Sequence, residues 1–155
     1  MSMLNDCSRK AEVLDKVQDA LSQASLKIAS RMAKGIAVAL NKAMSSYVDD
    51  VLAFRKMNFI DMVSVKHRSM GYREIQIGFE EELEARIEAQ IEAISPAEWL
   101  IFQFRDAELF FEEGKEAVVA SVKKDVLEAF GTLLDDHYKT KRMQLFLEHY
   151  PWLTR

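Results

Sequence analysis

Acids and a histidine crowd closest in Asp135-Asp136-His137-Tyr138, where general acid-base or metal chemistry would have its groups at hand. The pattern favours a structural role. Acids in the first turn of a helix complement its dipole, and His137 lies four residues from Lys141 on a solvated face. His67 and His149 are distant, and no histidine follows a glutamate by three residues, so the Glu-x-x-His device of helical di-metal sites is missing. Cys7 is the single cysteine and can form no intramolecular disulfide, and the N-terminus lacks the pattern of a secretory signal. A reducing, cytoplasmic home is expected. No catalytic residue, metal ligand, cofactor or small-molecule substrate is inferred, and the chain reads as a non-enzyme.

Charge supplies the stronger pattern. Residues 1–72 carry a net +4 and residues 73–155 a net −8, within an overall −4. Between residues 25 and 46 every charged side chain is basic, and at about 100° per residue Lys27, Arg31, Lys34 and Lys42 fall within roughly 80° of one another. Between Glu74 and Glu98 eight glutamates face only Arg86, and Glu81, Glu84, Glu88 and Glu92 form a stripe of opposite sign. Like charges four residues apart cost a few tenths of a kcal/mol per pair, so each ridge repels itself mildly. Either face can simply be solvated, or the two can neutralise one another within the fold or across a dimer.

A nucleic-acid role for the basic ridge is the weaker expectation. Four cations would release about four counterions, enough for salt-sensitive binding without specificity, and only Asn41 accompanies them as a base-reading side chain. A membrane surface fits less well still, since the apolar side of that helix is rich in alanine and has no Trp or Phe. No window holds the roughly 18 uncharged apolar residues of a membrane span.

Aromatic residues gather in the segment from Ala97 to Glu113. Read as one helix, it puts Trp99, Phe102, Leu109 and Phe110 on one face, and Leu100, Phe104, Ala107 and Phe111 on another about 120° away. Two apolar faces must be covered twice. A central core helix meets that need, and so does a partner chain on the second face, where aromatics supply most of the binding energy.

The elements that position these residues follow from apolar spacing and punctuation. A long first helix is expected over Ser8 to Met44, with Gly35 as a bend, and Ser46 with Asp49 resembles a capping box restarting a helix near Tyr47. Around residues 60–79 the alternation of Val63/Val65 and Ile75/Ile77/Phe79 tips a choice between helix and short β-hairpin towards the hairpin. Ser95-Pro96-Ala97-Glu98 has the order of a capped helix start, Gly114 should end the aromatic helix, and Gly131 followed by Thr132 and Asp135 reads as a stop and a capped start. The last helix should reach about His149, before Pro151. The expectation is a mainly α, single-domain bundle over 1–155, of about five to six helices, with residues 1–7 frayed and 150–155 a tail.

Together these features point to a non-catalytic interaction or regulatory protein that binds a protein partner and can self-associate as a homodimer. Its candidate contact residues are Leu100, Phe104 and Phe111, with the two charged ridges. The alternative is a nucleic-acid-binding regulator using Lys27 to Lys42.

Overall fold

Ser25, Ile28, Met32, Ile36, Leu40, Met44, Val48 and Leu52 recur every three or four residues, the spacing that stacks side chains along one side of an α-helix. All eight are buried in the computed structural model of the chain. It describes residues 2–55 and 65–154, with side chains over 8–53 and 76–152. Those eight residues lie on α1 (Ser2–Ala39) and α2 (Asn41–Arg55), which Leu40 joins almost without interruption: its amide donates to the Ile36 carbonyl at 2.8 Å, and its carbonyl accepts from the Met44 amide at 2.7 Å.

The remaining helices wrap this rod. They are α3 (Val65–Glu92), α4 (Pro96–Arg105), α5 (Ala107–Glu113) and α6 (Lys115–His149), with a 3-10 turn at Pro151–Thr154. The described residues contain these six α-helices and no strand, so the protein is mainly α. Helix α3 runs antiparallel to the rod: Gln90 lies beside Gly35, and Phe79 stacks on Tyr47 with ring centroids 4.6 Å apart. Helix α6 runs parallel to it, since His137 meets Ser45 and, further along, Lys141 meets Asp49. Phe79 and Phe130, 6.3 Å apart, join α3 to α6. At the centre, Phe102, Val118, Val122, Val126 and Phe130 are fully buried, and each such side chain contributes about 1.5–3 kcal/mol by leaving water.

Several boundaries follow the sequence signals. Ser95 and Glu98 form a reciprocal capping box with Pro96 in the first turn, Gly114 ends α5 at φ 89°, and α6 stops at His149. Others do not. The hairpin is replaced by helix α3: Ile75, Phe79, Leu83 and Ile87 are four apart, so the period-two run is also a helical stripe, with Phe79 buried and Ile77 exposed. Val63 lies outside the described residues. Ser46 starts no helix, because the buried series Leu40, Met44, Val48 and Leu52 carries α2 straight through it. Gly131 stops nothing either: buried Phe130 and half-buried Leu133 and Leu134 hold α6 together across it, and the Thr132 hydroxyl donates back to the Glu128 carbonyl at 3.2 Å. The aromatic segment is two helices, kinked at Asp106, whose φ −106° and ψ 37° are not helical.

The two glycines should therefore respond oppositely to alanine. Gly114 occupies a backbone region nearly reserved for glycine, so Gly114→Ala should cost about 1–3 kcal/mol, whereas Gly131→Ala, in open helical surroundings, should add about 0.5–1 kcal/mol. Thermal unfolding followed by circular dichroism should show a fall of several degrees in one and a small rise in the other. A Gly114→Ala protein as stable as the parent would contradict the cap geometry.

Candidate functional site

The kink at Asp106 is held by Arg105, a residue to which the sequence pattern gives no prominence. Its guanidinium binds Asp106 through two contacts, Nε to Oδ1 at 3.0 Å and Nη2 to Oδ2 at 2.6 Å, and reaches α6 through Asp125 and the Ser121 hydroxyl. It also lies 5.3 Å from the centre of the Phe102 ring. Burial works against the charge, but the carboxylates of Asp106 and Asp125 prevail and raise its pKa above the ordinary value. The Arg105 carbonyl accepts from Gln18 Nε2 at 3.3 Å, so α1, α4, α5 and α6 meet around this residue. The signal that could have found it is the adjacent Arg-Asp pair within an otherwise apolar run.

This knot sorts the aromatic segment into inward and outward side chains. Phe102 is wholly buried, and Trp99, Leu109 and Phe110 are half-buried around it, with Lys115 Nζ 5.4 Å above the Trp99 ring. Leu100 and Phe104, one turn apart on α4, are 52% and 62% exposed. Phe111 is 84% exposed on α5, edge-on to Phe110. Because the helix kinks at Asp106, Phe111 is not on one straight face with the other two, as a single helix would require.

The two ridges do not meet. Arg31 pairs with Glu98 of α4 at 2.6 Å, and Glu88 pairs with Lys123 of α6 at 3.5 Å. Among the described residues no ion pair joins Lys27, Lys34 or Lys42 to Glu81, Glu84 or Glu92, and all six are exposed. Acids nevertheless lie near two of the lysines. Lys34 shares a groove between α1 and α6 with Asp125 and Glu128, and Lys42 shares one with Glu82 and Arg86.

The acid and histidine cluster divides in the structure. Asp135 and Asp136 are exposed, while half-buried His137 puts Nε2 3.4 Å from the Ser45 hydroxyl at the seam with α2. Lys141 ties the same seam, donating to the Ser45 carbonyl at 3.0 Å and to Asp49 at 2.7 Å. Among the described residues no group of three or more His, Cys, Asp or Glu could hold a metal ion, and the side chains of Cys7 and His67 lie outside them. No described helix is long and apolar enough to cross a membrane.

Two further surfaces were not singled out by sequence pattern. One is aromatic: Phe146, Tyr150 and Trp152 follow one another with ring centroids 5.0 and 5.3 Å apart, exposed with Met143 beside a groove of about 770 Å³. The spacing of Phe146 and Tyr150, four apart before Pro151, is the signal that marks it. The other is a groove of about 560 Å³ between α3 and α6, floored by Phe79, Leu83, Ile87, Leu127 and Leu134. No protein-family model, curated protein or solved structure matches this chain significantly.

Glu98 gives the site a pH dependence. Its burial disfavours charge, but the bond from the Ser95 amide and the pairing with Arg31 outweigh that and lower its pKa below the ordinary carboxylate value. A lowered folded pKa means stability that is fully present above the unfolded value, near 4.3, and lost as pH falls through the folded one. Urea unfolding should show Glu98→Gln less stable than the parent at neutral pH, with the difference closing in this acid range. A difference that stays constant down to strong acid would remove Glu98 as its source.

Proposed function

We propose that this is a non-catalytic interaction or regulatory protein that binds another protein through the apolar side chains displayed on α4 and α5. The observation that carries the reading is the exposure of Leu100, Phe104 and Phe111 beside a core that has already buried Phe102 and Phe130. Aromatic anchors on a surface, fixed by a rigid support such as the Arg105 knot, are the usual source of interface affinity. The exposed lysines Lys27, Lys34 and Lys42 supply steering towards an acidic partner. A cytoplasmic setting agrees with the single cysteine.

The same three lysines favour the alternative, a nucleic-acid-binding regulator, because no ion pair within the described residues consumes them. Against it, acids border Lys34 and Lys42 and dilute the positive field.

The wild-type protein and a Phe104→Ala/Phe111→Ala variant, immobilised in native lysate, test the first reading. A stoichiometric partner should be retained by the parent and reduced at least about tenfold by the variant, whose melting temperature should change little because both rings are exposed. Equal capture, or a variant that unfolds, defeats it. Titration with DNA and RNA at low salt tests the alternative, which requires binding that Lys34→Glu/Lys42→Glu abolishes.

A further inference from the structure

Among the described residues, the arm of α1 from Ser8 to Ala20 has no cover. Every side chain from Ser8 to Ala20 is exposed, and the hydrogen bond nearest the N-terminus between this arm and the body, among the described residues, is that of Gln18 to the Arg105 carbonyl. Yet the arm is not polar throughout. At about 100° per residue, Leu14, Val17 and Leu21 extend the stripe that Ile28 and Met32 bury further along. Leu14 and Val17 are 68% and 50% exposed. The arm is held helical by continuity with the packed part of α1, and its apolar stripe leaves water only if another surface takes it.

We propose that the surface is the groove between α3 and α6 in a second copy of the chain, each copy lending its arm to the other about a two-fold axis. The groove has an apolar floor of Phe79, Leu83, Ile87, Leu127 and Leu134. Its α3 wall carries Glu80 and Glu84, and its α6 wall carries Lys124; at one end Lys123 and Glu88 pair across it at 3.5 Å. From Gln76 to Glu88 it runs about 18 Å, matching the roughly 16 Å from Lys10 to Leu21.

Charge selects this occupant. On the arm, Arg9 and Lys16 lie about 80–100° from Val17 on one side of the apolar stripe and Asp15 about 100° from Leu14 on the other, Lys10 falls in the middle of the stripe at its N-terminal end, and Glu12 and Asp19 face away. Seated in the groove, the basic edge meets Glu80 and Glu84 while Asp15 meets Lys124. The partner must be another molecule, because α1 is unbroken from Ser2 to Ala39 and cannot turn back into its own groove.

This deepens the interaction reading by naming a second copy as one partner, on a surface apart from Leu100, Phe104 and Phe111. Light-scattering mass of the full chain across a concentration series tests it. The parent should be a dimer in the micromolar range. Leu14→Glu/Val17→Glu should be monomeric with unchanged helicity, since both positions are exposed. Arg9→Glu/Lys16→Glu and Glu80→Lys/Glu84→Lys should each weaken the dimer at least about tenfold, and an equimolar mixture of the two should recover mixed dimers. A parent monomeric throughout, a dimer indifferent to Leu14→Glu/Val17→Glu, or no recovery on mixing overturns the proposal. A dimer lost in Phe104→Ala/Phe111→Ala but kept in the arm variant also overturns it, and assigns self-association to the aromatic face. Loss of lysate capture with the dimer intact defeats the other reading alone.

Discussion

Ala29 and Ala33 are wholly buried on α1, and because neither side chain extends past Cβ, α6 can lie close enough to bury Val118, Val122 and Val126 completely. Gly35 serves α3 in the same way: a Cβ there would stand 3.1 Å from the Gln90 amide. The rod of α1 and α2 is thus the reference against which α3, α4 and α6 are placed. Large side chains follow where the small ones leave room. Tyr47, Phe79 and Phe130 fill the far end of the bundle, and Phe102 fills the near one. Larger residues at Ala29 or Ala33 would spread these layers together.

Charges divide into two populations by depth. Arg105 is half-buried and fully engaged, with carboxylates on two sides, a hydroxyl and a ring beneath, which is the condition under which a shielded guanidinium is tolerated. The ridges on α1 and α3 are exposed, where ion pairing contributes little to stability and repulsion costs little. Their one-sidedness therefore has little weight in folding. It is available for recognition, and the acidic wall of the α3–α6 groove is part of the same α3 ridge.

The fold was legible wherever one residue type fixes a backbone state. Ser95, Pro96 and Glu98 announce the start of α4, and Gly114 announces a helix end at positive φ, because few alternatives satisfy those backbone groups. It was illegible where tertiary burial overrules local signals. Gly131 and Ser46 look like breaks, but a buried stripe on either side keeps each helix continuous. The hairpin reading at Ile75, Ile77 and Phe79 failed because three residues cannot separate period two from period four; Leu83 and Ile87 decide it. Among the candidate contact residues, Leu100 and Phe104 could be paired from spacing alone. The place of Phe111 could not, since it depends on a kink that only the spatial neighbours of Arg105 explain.

The hydrogen-bonded passage through Leu40 makes α1 and α2 nearly one rod, about 80 Å long from Ser2 to Arg55 at 1.5 Å per residue. A spherical chain of 155 residues would have a radius of gyration of only about 15 Å. Friction in water grows with the longest dimension, so a single copy drifts and tumbles as slowly as a heavier globule. On a sieving column one copy should elute ahead of compact standards of 17.8 kDa, and the end-over-end tumbling of that axis should be slow. Elution volume in this molecule measures the rod; mass must be weighed by scattered light or sedimentation equilibrium.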